Sequence, residues 1–211
     1  MTGLSAKELV DSVYKSIHNA ASIEQIKLLW DEYELRKVEF LELKYPRIDF
    51  KLNKDELKFI YDRIVKNQPI INSQSDLNDP ISKLLYAMVW KNGDLPKLKH
   101  IVMGIFDEMP AYKDNEGIVL FYFGRYLTNP NANSIIDQHV IRTYKLLICK
   151  DENAFDGIIK FNGVKMKHNL DVTGYFKWLA MNICEPLKSN PDALYEIDKI
   201  LFSIGKMMKS K

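Results

Sequence analysis

Residues 133–147 read NSIIDQHVIRTYKLL, where an aspartate and a histidine two residues apart open an apolar-periodic run. Three chemistries suit them: Asp137 could cap a helix, ligate a metal with His139, or serve as a catalytic carboxylate. Ser134 and Asp137 have the spacing of a capping box, with Asp in place of Glu or Gln, and a carboxylate in a first helical turn gains roughly 0.3–1 kcal/mol from the helix dipole. The same place suits a catalytic anion, because an ionised group held by backbone N–H groups can stabilise developing positive charge or orient a water. The metal pairing fails on direction, since residues i and i+2 of a helix point about 200° apart.

The remaining titratable residues add no further motif. His18, His100 and His168 lack ligand spacing, and Cys149 and Cys184 form no CxxC pair. The sequence therefore predicts no metal site and no cofactor, and two distant thiols fit a reducing, cytoplasmic setting. No P-loop, GxGxxG or GxSxG pattern occurs, which removes the main supports for nucleotide, dinucleotide and serine-hydrolase chemistry. Thirty basic against 28 acidic residues give a formal charge of +2, a balance that neither demands nor excludes nucleic acid. No apolar run reaches the roughly 18–20 residues of a membrane helix.

These groups need a scaffold, and its predicted class is mainly α: a multi-helix globular chain, in one body or two helical lobes. Ser5 with Glu8, Ser22 with Gln25 and Asn53 with Glu56 are three capping boxes, each followed by an apolar stripe. The second stripe runs through Ile26, Leu29, Trp30, Tyr33 and Val38 toward Pro46. Residues 67–80 are polar and turn-rich, and read as a linker ending in an Asp79 cap and Pro80. ISKLLYAMVW is apolar nearly all round, which predicts a central buried helix, with Trp90 in the core and Asn92-Gly93 as its stop. Helices are also expected over LPKLKHIVMGIFDEM, GIVLFYFGRYL and the last forty residues. Asn162-Gly163 between short alternating runs predicts a small β-hairpin insertion near 157–168. The expected organisation is an N-terminal helical region, 1–70, packed as one unit with a helical domain, 79–211.

Three segments carry a family resemblance over residues 86–205. In YKDNEGIVLFYFGRYL a lysine starts an apolar helix; in NSIIDQHVIRTYKLL an aspartate opens the next helix after a loop; in LYEIDKILFSIGK an acidic residue precedes a bulky apolar pair. This order resembles the helix-hairpin-helix DNA glycosylase superfamily, in the manner of small proteins with the 8-oxoguanine DNA glycosylase fold. The resemblance implies base excision, with Lys113 as the Schiff-base amine and Asp137 as the activating carboxylate. The partner would be double- or single-stranded DNA, with a flipped base in an aromatic-lined pocket. Phosphate contacts would then fall to Arg125, Arg142, Lys145, Lys160, Lys165 and Lys167. Where that superfamily carries a glycine-rich hairpin, this chain reads FDEMPAYKDNEG, without a GxG. The alternative expectation is thus a non-catalytic helical module that binds protein or nucleic acid.

Overall fold

The computed structural model describes residues 5–35, 47–48, 50–71, 76–108, 117–130, 132–161, 171–190 and 192–209. The chain divides into two compact units, one formed by Met1–Asp49 with Pro130–Lys211, the other by Phe50–Asn129. In the first unit the N-terminal apolar stripes find their partners in the C-terminal third, a long-range pairing that local sequence cannot reveal.

In the first unit, Ser5 Oγ accepts from Glu8 N (3.2 Å) and the Glu8 carboxylate accepts from Ser5 N (2.7 Å), which starts α1 (Ala6–Asn19). Its buried face is Leu9, Val10, Val13 and Ile17, worth about 1.5–3 kcal/mol per fully buried side chain. Helix α2 (Ile23–Glu32) opens on half a box: Ser22 Oγ accepts from Gln25 N, but Gln25 reaches back to Ala21 N (2.6 Å). It stops earlier than the pattern predicts, with Tyr33 as C-cap and Glu34 in the left-handed region at φ 50°. The expected continuation through Val38 to Pro46 lies largely outside the described residues.

The same unit continues with α7 (Gln138–Ile148), a 3-10 turn (Glu152–Ala154), α8 (Phe155–Ile159), α9 (Thr173–Asn182), α10 (Glu185–Lys188) and α11 (Ala193–Lys209). Helix α11 is its centre, packing on α7 and α2, while α1 packs on α7. Its inward stripe includes Ile197, Ile200, Leu201, Ile204 and Met208. Where α11 crosses α7, a Cβ on Gly205 would lie 2.1 Å from the His139 carbonyl oxygen, so only hydrogen fits there.

In the second unit, the Asn53–Glu56 box forms as predicted and starts α3 (Lys54–Val65). Asp79 accepts from Ser82 N (2.9 Å), and with Pro80 it opens α4 (Pro80–Lys91), which Asn92 and Gly93 (φ 70°) close. Asp94, at the N-cap of the next helix, makes no capping bond and pairs with Lys97 instead. Helices α5 (Leu95–Phe106) and α6 (Ile118–Thr128) form the tightest contact of this unit. A Cβ on Gly104 would stand 1.9 Å from Phe121 O, and one on Gly124 2.0 Å from Ile101 O. Around this crossing lie the buried Val102, Ile105, Ile118, Phe121 and Leu127. Helix α3 leans on α5 through Tyr61 and Phe106, whose stacked rings are 4.0 Å apart at their centroids.

Two expectations are corrected. The predicted hairpin is not present among the described residues: 157–159 belong to α8, and a short apolar run such as GII is ambiguous between helix and strand. Asn162-Gly163 and the rest of that segment lie outside the described residues. Helix α4 is not central. None of its residues is buried, and Trp90, expected in the core, is 64% exposed. Among the described residues no helix is long and apolar enough to cross a membrane.

The crossings set a test. Gly104→Ala and Gly124→Ala must push backbone apart and are each expected to cost about 1–3 kcal/mol or more, read as a fall in thermal midpoint by circular dichroism. Gly157→Ala, whose Cβ would meet nothing within 4 Å, is expected to be neutral or slightly stabilising.

Candidate functional site

Asp137 occupies the N-cap of α7 with extended backbone, and its Oδ1 accepts from His139 N at 2.6 Å. The cap is Asp137 itself, so the helix starts one residue beyond it, and Ser134 has no capping role. The carboxylate is half-buried and serves its own helix. Lys113, the amine that the family resemblance implies, lies outside the described residues.

Two residues along, His139 Nδ1 is 2.6 Å from Arg142 Nη1. A guanidinium has only donors, so Nδ1 must be the acceptor and the imidazole neutral, with its proton on Nε2. Burial likewise lowers the His139 pKa, although the Asp137 charge opposes this. Arg142 is itself fully buried. Its Nη1 also donates to Gly205 O (2.7 Å) and its Nη2 donates to Phe161 O, while Nε meets no partner among the described residues. Burial lowers its pKa against the Asp137 charge. The guanidinium thus joins α7, α11 and the end of the α8 turn through neutral acceptors.

A second polar cluster, which the sequence reading did not single out, lies on the inner face of α11. Asp198 is buried; Oδ1 accepts from the Tyr175 hydroxyl (2.6 Å) and Oδ2 from Ile135 N (3.0 Å). Desolvation pushes its pKa from the ordinary 3.8 up to about 7, against the hydrogen bonds from Tyr175, Ile135 and Ser134. The buried Ser134 hydroxyl stands beside both groups and lowers the pKa of each, without a fully aligned partner. Tyr175 is driven well above its usual value, first by burial and then by the Asp198 charge. A signal for this cluster exists in the sequence. Asp198 sits on the 3.6-residue stripe shared by Leu201 and Gly205, where an apolar residue is the norm.

The cations expected to meet phosphate differ in their surroundings. Arg142 is in the core, out of reach of any ligand on the surface. Lys145 is bound to the buried Asp171 (2.7 Å) and lies over the Phe161 ring. Arg125 pairs with Asp107 at 3.4 Å and lies over Tyr122. Lys160 is exposed, and Lys165 and Lys167 lie outside the described residues. No group of three or more His, Cys, Asp or Glu among the described residues is placed to hold a metal ion.

The surface also carries exposed apolar side chains. Of the eleven large apolar side chains exposed among the described residues, eight lie within Phe50–Asn129. On α4, Ile81, Leu84, Leu85 and Met88 follow the i, i+3, i+4, i+7 spacing of one helix face and are 54–69% exposed. Beside this helix, Ile64, Ile71, Tyr86 and Leu95 line an open groove of about 370 Å³. No known protein family matches the chain, and no curated protein or solved structure resembles it to a significant degree.

The Asp198 cluster predicts a pH dependence. The folded carboxyl keeps its proton up to about pH 7, whereas the unfolded one releases it near 4. Between those values the folded state binds more protons, so this group's contribution falls as pH rises and levels off above 7. Asp198→Asn, which cannot ionise, is expected to gain on wild type by about 4 kcal/mol between pH 4 and 8. Urea midpoints of both proteins across that range measure the gain.

Proposed function

We propose that this protein is a non-catalytic helical module that binds another protein through the unit Phe50–Asn129. The carrying observation is the apolar face of α4, which buries none of its residues against the chain that bears it. A continuous apolar stripe left in water is more characteristic of an interaction surface than of a finished monomer core. The rest of the polar chemistry supports a binding role: Asp137 serves its helix, His139 is held neutral by a guanidinium, and Arg142 is bonded to main-chain carbonyls. Those groups are occupied in building the fold.

The glycosylase reading remains a defined alternative, resting on Lys113 and Asp137, and borohydride trapping on oligonucleotides with 8-oxoguanine, uracil or an abasic site tests it directly. The expected outcome is no covalent adduct and no base release; an adduct lost in Lys113→Ala would replace the binding reading with an enzyme.

The positive test is crosslinked co-isolation from the native cell. A specific protein partner should fall at least about tenfold in yield with Leu84→Glu/Leu85→Glu, and stay unchanged with Lys160→Glu. Both variants must keep the wild-type circular dichroism. A partner that survives the double substitution removes α4 as the binding face.

A further inference from the structure

The groove beside α4 has a structure that specifies its occupant more narrowly. One wall is made by the stretch 67–71, which the sequence marks as a linker, and the other by Tyr86 of α4 with Leu95, Pro96 and Lys99 of α5. Arg63 braces the first wall: its Nη1 donates to Ile70 O (2.9 Å) and to Asp76 Oδ2 (2.7 Å). The groove is therefore preformed rather than a gap between loose segments, which lowers the ordering cost of filling it. Its volume, about 370 Å³, falls in the range of sites that take a few apolar groups, and its floor is aliphatic and aromatic.

The charge around it is one-sided. Each acid described between residues 62 and 99 is already engaged. Asp62 pairs with Lys58 (2.8 Å), Asp76 with Arg63, Asp94 with Lys97 (2.5 Å), and Asp79 caps α4. Lys66, Lys83 and Lys99 have no such partner among the described residues. Lys99 lines the groove, Lys66 directly precedes its wall, and Lys83 lies one helical turn before Tyr86. One small carboxylate could answer only one of these cations. A chain segment bearing several carboxylates among apolar side chains could answer all three.

We infer that this groove takes an acidic, apolar segment of a protein partner, with apolar side chains between Ile71, Tyr86 and Leu95 and a carboxylate on Lys99. The inference rests on the binding-module reading and adds the partner's chemistry. The contact is charge-assisted at an apolar site, so its affinity falls with salt and depends on the sign at position 99.

The test titrates the full chain with a fluorescent short peptide in which leucine alternates with glutamate, against the same peptide with glutamine for glutamate. The glutamate peptide should bind, and more weakly as salt rises, with the glutamine peptide at least about tenfold weaker. Lys99→Glu should weaken binding by about tenfold and Lys99→Arg should retain it, with Lys160→Glu as a control for net charge. Equal binding of the two peptides, or binding unchanged by Lys99→Glu, overturns the inference. So does displacement of the peptide by octanoate at matching affinity, which would make the site one for small amphipathic acids. If the peptide fails while α4-dependent co-isolation of a partner persists, only this inference falls; loss of that α4-dependence overturns the reading beneath it.

Discussion

Both units depend on one constraint, the absence of a side chain where two helices cross. At Gly104 and Gly124 in one unit and at Gly205 in the other, a single Cβ would stand within about 2 Å of a carbonyl oxygen of the facing helix. Ridges packing into grooves ordinarily hold helices apart at the radius of the intervening residues. Here backbone meets backbone. The flanking apolar residues, Ile105 and Phe121 at one crossing and Val140 and Ile204 at the other, are all buried.

At the second crossing the close approach also brings polar groups within reach of one another. Because α11 comes so near α7, the Gly205 carbonyl lies within hydrogen-bond distance of Arg142, and a guanidinium can stay in the core on neutral acceptors. On the same helix, Asp198 is reached by Tyr175 of α9 and by the main chain before α7. These two buried ionisable groups are joints between elements. A charge without a counter-ion in an apolar interior is costly, so burial raises the Asp198 pKa to about 7 and Arg142 gathers main-chain carbonyls. Both groups are buried within the fold, and most of the large apolar side chains left exposed lie on the other unit.

Most short-range signals in the sequence form as expected, with the Ser134 cap an exception, whereas long-range pairings are not legible in it. The boxes at Ser5 and Asn53, the Asp79-Pro80 start and the Gly93 stop are short-range devices, and each forms where its spacing requires. A helix was legible at α11, but not the meaning of the aspartate on its buried face, since a carboxyl there acquires a role only when Tyr175 and Ile135 N arrive from elsewhere. Arg142 was expected at the surface on residue type alone; three acceptors, two of them distant in sequence, account for its burial. Helix α4 was expected in the core because its composition is apolar, but composition says how much surface a helix wants covered and not whether its own chain covers it.

Helix α4 is secured at its ends rather than along its sides. A capping aspartate, a proline in its first turn and a glycine at its stop fix where it begins and ends, yet twelve residues with no fully buried side chain gain little from tertiary packing, and helices of that length are marginal by themselves. Its amide hydrogens therefore belong to the fast-exchanging part of the molecule, and its opening costs far less than global unfolding. Whatever covers it adds order as well as contact, and slower exchange along α4 would register the arrival of a partner even where no atom changes its mean position.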